Sequence, residues 1–165
     1  MTSAARRPPC QTRVLGSIGE VGAEAWDALF AHEPEVAGPF VRHAFLEALE
    51  RSGSAGPRTG WLPRHLTAWR GRTLVAAAPA WLKDGSEGDF SRDWEWAGAA
   101  SRAGVRYYPK LSLTVPATPA TGRRLLVAEG ERREELVPRL VEAALALAAE
   151  EIGRASCRER VCSVV

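Results

Sequence analysis

Cysteine is scarce in this chain: Cys10, Cys157 and Cys162 are the only three in 165 residues. Their spacing offers no metal-ligand pattern and no disulfide framework, so the default setting is reducing and cytoplasmic. No apolar run approaches the roughly 20 residues that span a bilayer. Arg6 and Arg7 are not followed by the apolar stretch of a secretory signal. Charge of one sign is missing too. A formal net charge of +2 supports neither a DNA-binding basic patch nor an acidic tail. There is no P-loop, no paired His/Cys metal set, no Ser-His-Asp pattern and no internal repeat. What is there is 45% hydrophobic and 25% charged, enough apolar material for one globular core.

The stretch Pro79–Leu111 concentrates three of the six tryptophans and both tyrosines, interleaved with lysines, arginines and carboxylates. Aromatic bodies with polar tips suit a partly buried cleft, where one end packs and the other meets ligand. The competing reading is a helix and loop whose rings fill a core.

In chain order, Arg6–Pro9 reads as part of a flexible leader over 1–11. Thr12–Ile18 is β-leaning and ends at Gly19. Gly22–Ala31 places Trp26, Leu29 and Phe30 at helical spacing. Phe40–Arg51 forms a second helix with Gly53 past its end. His43 near its start is either a capping and packing residue or a substrate contact. Ser52–Pro63 is loop by composition. His65–Trp69 and Thr73–Leu82 flank the turn Arg70–Arg72 as a hairpin. Asp93–Arg102 is a short helix with Asp93 at its N-cap. Lys110–Val115 and Arg123–Ala128 follow as strands. Glu131–Glu150 is a helix with Leu136, Leu140, Ala144 and Leu147 on one face, and Pro138 is its defect.

Glu151–Val161, EIGRASCRERV, is the one-frame translation of a widely used sequencing adapter. The expectation is therefore a non-native tail over 151–165. Ahead of it lies a partial domain over 12–150, cut before its last strands. A sheet left with an open edge would be aggregation-prone, and such a chain is expected to be inactive.

The blocks HAFLEALE (His43–Glu50), GWLPRHL (Gly60–Leu66), PAWLK (Pro79–Lys83), DWEWA (Asp93–Ala97), GVRYYPKL (Gly104–Leu111) and PATPATGRRLL (Pro116–Leu126) occur in a telling order. Together they resemble the bacterial N-acyltransferases with a GNAT-like fold, related to FemAB-type peptidoglycan peptide-bridge enzymes. The resemblance implies an α/β domain with a mixed sheet flanked by helices, whose central strands splay to admit an acyl donor. It implies transfer of an acyl or aminoacyl group to an amine of a small molecule or peptide. The donor would be acyl-CoA or aminoacyl-tRNA, with no metal. The chain departs from the pattern at Gly85 and Asp89, where histidine and glutamate are expected. A pyrophosphate loop would fall at Val127–Arg133, with Gly130, Arg132 and Arg133 around the donor phosphates.

Amide formation needs a base, oxyanion donors and an acid for the leaving group. Asp89 and Asp93 are candidate bases, because a carboxylate among aromatic rings has its pKa raised. Against this, Asp93 reads first as a helix cap, a position that favours aspartate strongly. Tyr107 or Tyr108 would act as acid or orient substrate, Lys110 would pair with a carboxylate or hold an anion, and Trp94 and Trp96 would wall the cleft. The altered positions Gly85 and Asp89 leave a third reading open: a non-catalytic module that recognises a peptidoglycan-like peptide.

Overall fold

The run Thr73–Leu82 is apolar at consecutive positions, as a strand covered on both faces should be. In the computed structural model, which describes residues 8–87 and 93–152, its first part is a central strand, β4 (Thr73–Ala78). With β1 (Cys10–Leu15), β3 (His65–Arg70) and β7 (Leu126–Val127) it forms a sheet ordered β1-β3-β4-β7. Leu74 and Ala77 face one core layer, with Trp26 of α1 (Ala23–Asp27), Ala37 of α2 (Pro34–Ala37) and Leu46 of α3 (His43–Arg51). Val75, Ala76 and Ala78 face the other layer, with Leu136, Leu140, Ala144 and Leu147 of α5 (Arg133–Glu151). The sheet is thus the middle of three layers, and α5 presents the apolar face that its spacing predicted.

The expected strand does not run through to Leu82. Proline has no N–H to give a ladder, and the chain breaks at Pro79 and Ala80 before resuming as β5 (Trp81–Lys83) in a second sheet, β2-β5-β6. The partners are β2 (Trp61–Pro63), inside a segment expected to be loop, and β6 (Lys110–Ser112). The register survives the break: Leu66 opposes Ala78 on one side of it and Pro63 opposes Trp81 on the other, three residues apart in both strands. The two sheets therefore share one long hairpin that bends at Arg64 and Pro79–Ala80.

His65 holds this seam. Its Nδ1 accepts the Ala80 N–H at 3.2 Å, so its Nε2 carries the proton and donates to Glu50 Oε1 at 2.9 Å. Glu50 also accepts from Ser17 Oγ and from the Ile18 N–H, tying α3 and the turn after β1 to the bend.

Every strand pairing among the described residues is antiparallel, so the expected mixed sheet is corrected to two antiparallel sheets with flanking helices. β1 begins inside the expected leader, α5 runs one residue past Glu150, and Ile152 is buried against α5's core layer. Residues 1–7 of the expected leader and 153–165 of the expected tail lie outside the described residues. No helix among the described residues is long and apolar enough to cross a membrane.

Candidate functional site

The second sheet places Trp61, Lys83 and Lys110 in one row, with Trp61 opposite Lys83 and Lys83 opposite Lys110. Like charges directly opposed on neighbouring strands repel. The carboxylate of Asp93 resolves the conflict. Lys83 Nζ stands 3.4 Å from Asp93 Oδ2, and Lys110 Nζ donates to the same oxygen. Tyr108 OH is a third donor to it, at 2.8 Å. Since the tyrosine's one proton is committed there, Ser86 Oγ, 2.8 Å away, donates to the Tyr108 oxygen. The Tyr108 ring flanks both ammoniums, its centroid 5.5 Å from Lys83 Nζ and 5.3 Å from Lys110 Nζ. Lys83 Nζ also sits 5.3 Å from the Trp61 ring, and Lys110 Nζ 4.7 Å from the Tyr107 ring.

Burial and charge decide what these groups do. Lys83 is wholly buried, Asp93 is 5% exposed, and the Lys110 side chain keeps 20% exposure. Burial pushes the Asp93 carboxyl up, but hydrogen bonds from Lys110 and Tyr108 and the charges of Lys110 and Lys83 outweigh it, holding the pKa at about 2. This corrects the expectation of a raised carboxylate: at neutral pH Asp93 is ionised and a poor base. Asp93 does hold the N-cap position of α4 (Trp94–Arg102), as expected, but it gives no side-chain hydrogen bond to that helix's backbone. The Tyr108 hydroxyl is pushed well above its ordinary range, chiefly by burial and by the adjacent Asp93 charge, so it stays protonated. What remains outward-facing is donor capacity. Lys110 has one N–H left after Asp93 and Tyr107, whose hydroxyl it meets at 3.4 Å. Receiving that bond, Tyr107 keeps its own proton to donate.

Four of the expected site residues, Asp93, Tyr107, Tyr108 and Lys110, are thus brought together. Asp89 lies outside the described residues. Trp94 and Trp96 are 54% and 72% exposed on α4. His43 is not near a ligand surface: it is buried, and its Nε2 donates to the carbonyls of Ile18 at 3.1 Å and Val21 at 2.9 Å. It is a structural tie, as its position at the start of α3 also allowed.

The loop before α5 is less suited to phosphate than expected. Gly130 has φ +77, in the left-handed region a turn there requires. Arg133 folds back to donate to the Leu125 carbonyl at 2.9 Å, and Arg132 is exposed, its charge felt by Glu135. Glu134 and Glu135 already occupy the first turn, where an incoming anion would sit. Arg70 is engaged by Glu131 and Glu135. A cavity of about 170 Å³ beside this loop is lined by His32, Glu33, Arg123, Glu129 and Arg133, a mixed set with no cationic excess.

Lys83, Ser86 and Trp61 went unassigned from the sequence. Lys83 had one signal: a lone cation closing the apolar run of β4 and β5, where a lysine is buried only with a partner. Nothing marked its pairing across the sheet with Lys110, which depends on the strand register.

Among families of known proteins, the chain matches over residues 17–161 the FemAB-like family, described as peptidoglycan biosynthesis/recognition. No curated protein and no solved structure matches it.

Proposed function

The chain belongs to the FemAB-like family of peptidoglycan biosynthesis and recognition, and from that premise we propose that it transfers an acyl or aminoacyl group to an amine on a peptidoglycan-type peptide. One observation carries the reading. Asp93 is locked in its ionised form, and it aims Lys110 and Tyr108 instead of accepting a proton. Lys110 Nζ and the Tyr107 hydroxyl lie 3.4 Å apart, a pair of donors suited to holding a developing oxyanion. As the amine nitrogen bonds to the acyl carbon, those donors hold the carbonyl oxygen's negative charge. The ester or thioester bond then breaks, and the proton lost by nitrogen ends on the leaving oxygen or sulfur. Lys110 and Tyr107 are the proposed catalytic residues, and Asp93, Tyr108 and Lys83 position them. The donor is aminoacyl-tRNA or acyl-CoA. The GNAT-like strand gap belongs to the same reading, its second strand expected after α5.

A recognition module without turnover has one observation in its favour: neither Asp93 nor Tyr108 titrates near neutrality. The test is transfer to a peptidoglycan stem peptide from radiolabelled aminoacyl-tRNA and from acyl-CoA. Lys110→Met should lower turnover about 100- to 1000-fold while the acceptor still binds. Tight acceptor binding with no product from either donor would leave the recognition reading standing and sink the enzyme.

A further inference from the structure

Helix α4 has its apolar stripe on the wrong side for folding. Trp96, Ala99 and Ala103 recur at helical spacing, and all three are exposed, with Trp96 at 72%. Val105, just past the helix, is 48% exposed, and Trp94 at its start 54%. No residue of α4 is buried, and the inward side offers only half-buried Ala97, Gly98 and Ala100. A nine-residue helix that hides nothing apolar gains little from the protein it is attached to. The hydroxyl and carboxylate network of Asp93 ties its first turn to the second sheet.

The charges around this stripe have one dominant sign. Arg102 and Arg106 are exposed and make no ion pair among the described residues, and Glu95 is the one exposed acid between Trp94 and Tyr108. Tryptophan with an apolar body and a polar N–H, flanked by arginine, is the composition that settles at a bilayer surface. A sugar ring stacked on tryptophan would want amide or carboxylate side chains for its hydroxyls, and this face is built from alanine, valine and arginine instead.

We propose that α4 and the turn through Arg106 form a peripheral docking surface for an anionic lipid bilayer. Trp96, Ala99, Ala103 and Val105 enter the headgroup region, while Arg102 and Arg106 meet the anionic headgroups. Asp93 stands at the start of this helix with its carboxylate in the lysine–tyrosine cluster, so docking holds that cluster beside the membrane surface. The proposal stands independently of acyl transfer, because it is read by binding alone.

The test is co-sedimentation of the full chain with phosphatidylcholine vesicles, plain or containing about one-third phosphatidylglycerol, with tryptophan emission followed in parallel. Binding should appear only with the anionic vesicles, weaken as salt is raised, and shift the emission to shorter wavelength. Trp96→Ser with Val105→Ser should weaken it about tenfold or more, as should Arg102→Gln with Arg106→Gln. Circular dichroism confirms that these surface variants fold. Equal binding by wild type and variants, or none to anionic vesicles, would overturn the proposal. So would a dimer in sedimentation that the Trp96→Ser variant abolishes, which assigns the stripe to a second copy, or an emission shift with soluble glycan fragments alone.

Discussion

Lys83 and Lys110 would repel one another across β5 and β6 without the Asp93 carboxylate set between them. That arrangement makes Asp93 a stability determinant with a defined pH window. Its folded pKa is lowered from 3.8 to about 2, so its contribution is fully present above about pH 4 and lost as the pH falls toward 2. The shift corresponds to about 2 kcal/mol. Urea midpoints measured between pH 5 and pH 2 should show that loss in the wild type and not in Asp93→Asn. The variant should also be less stable at neutral pH by about 3 kcal/mol, since the buried Lys83 loses the Asp93 charge beside it. The Glu50 network behaves similarly in sign. Burial raises its pKa, but the bonds from His65, Ser17 and Ile18 win and lower it. Glu50→Gln presents an amide to donors that need acceptors, and it should cost about 3 kcal/mol by chemical denaturation.

At the level of elements, what the chain disclosed in advance follows from periodicity. α5 and the β3–β4 hairpin were legible because Leu136, Leu140, Ala144 and Leu147 recur at helical spacing and Arg70–Arg72 is a plain turn. The helix α4 was legible in extent, but the destination of Asp93 was not. An aspartate before a helix looks like a cap, and only the distant Lys83 and Lys110 reveal it as an ion-pair centre. The bend at Pro79 was hidden for the opposite reason. The apolar run is unbroken across it, and the next N–H, that of Ala80, leaves the ladder and is accepted by a histidine side chain fifteen residues earlier in the chain. β2 was hidden because three residues between Gly60 and Arg64 carry too short a pattern to read. One prediction belongs to α5 itself. Pro138 is an exposed residue inside the helix, past the first turn, where it removes a hydrogen bond and crowds the carbonyl before it. Pro138→Ala should raise stability by about 2 kcal/mol, read as a higher urea midpoint with an unchanged slope.

For the molecule as a whole, the question is whether two core layers and two sheets unfold as one unit. The layer under α1 to α3 and the layer under α5 are separated by the sheet, and β4 alone gives residues to both in quantity: Leu74 and Ala77 to one, Val75, Ala76 and Ala78 to the other. Leu46 and Leu140 are fully buried on opposite sides of it. They share no side-chain layer, so shortening each should act independently, at about 1 kcal/mol for Leu46→Val and the same for Leu140→Val. The double variant should lose the sum to within about 0.5 kcal/mol. A shared central strand also demands a single transition. Loss of Trp26 and Trp81 fluorescence, which reports the α1–α3 layer, should coincide with loss of helix circular dichroism, to which α5 is the largest contributor among the described helices. If Leu140→Val moved the circular dichroism midpoint and left the fluorescence midpoint in place, β4 would not couple the layers. The bend at Pro79 would then separate folding units instead of joining them.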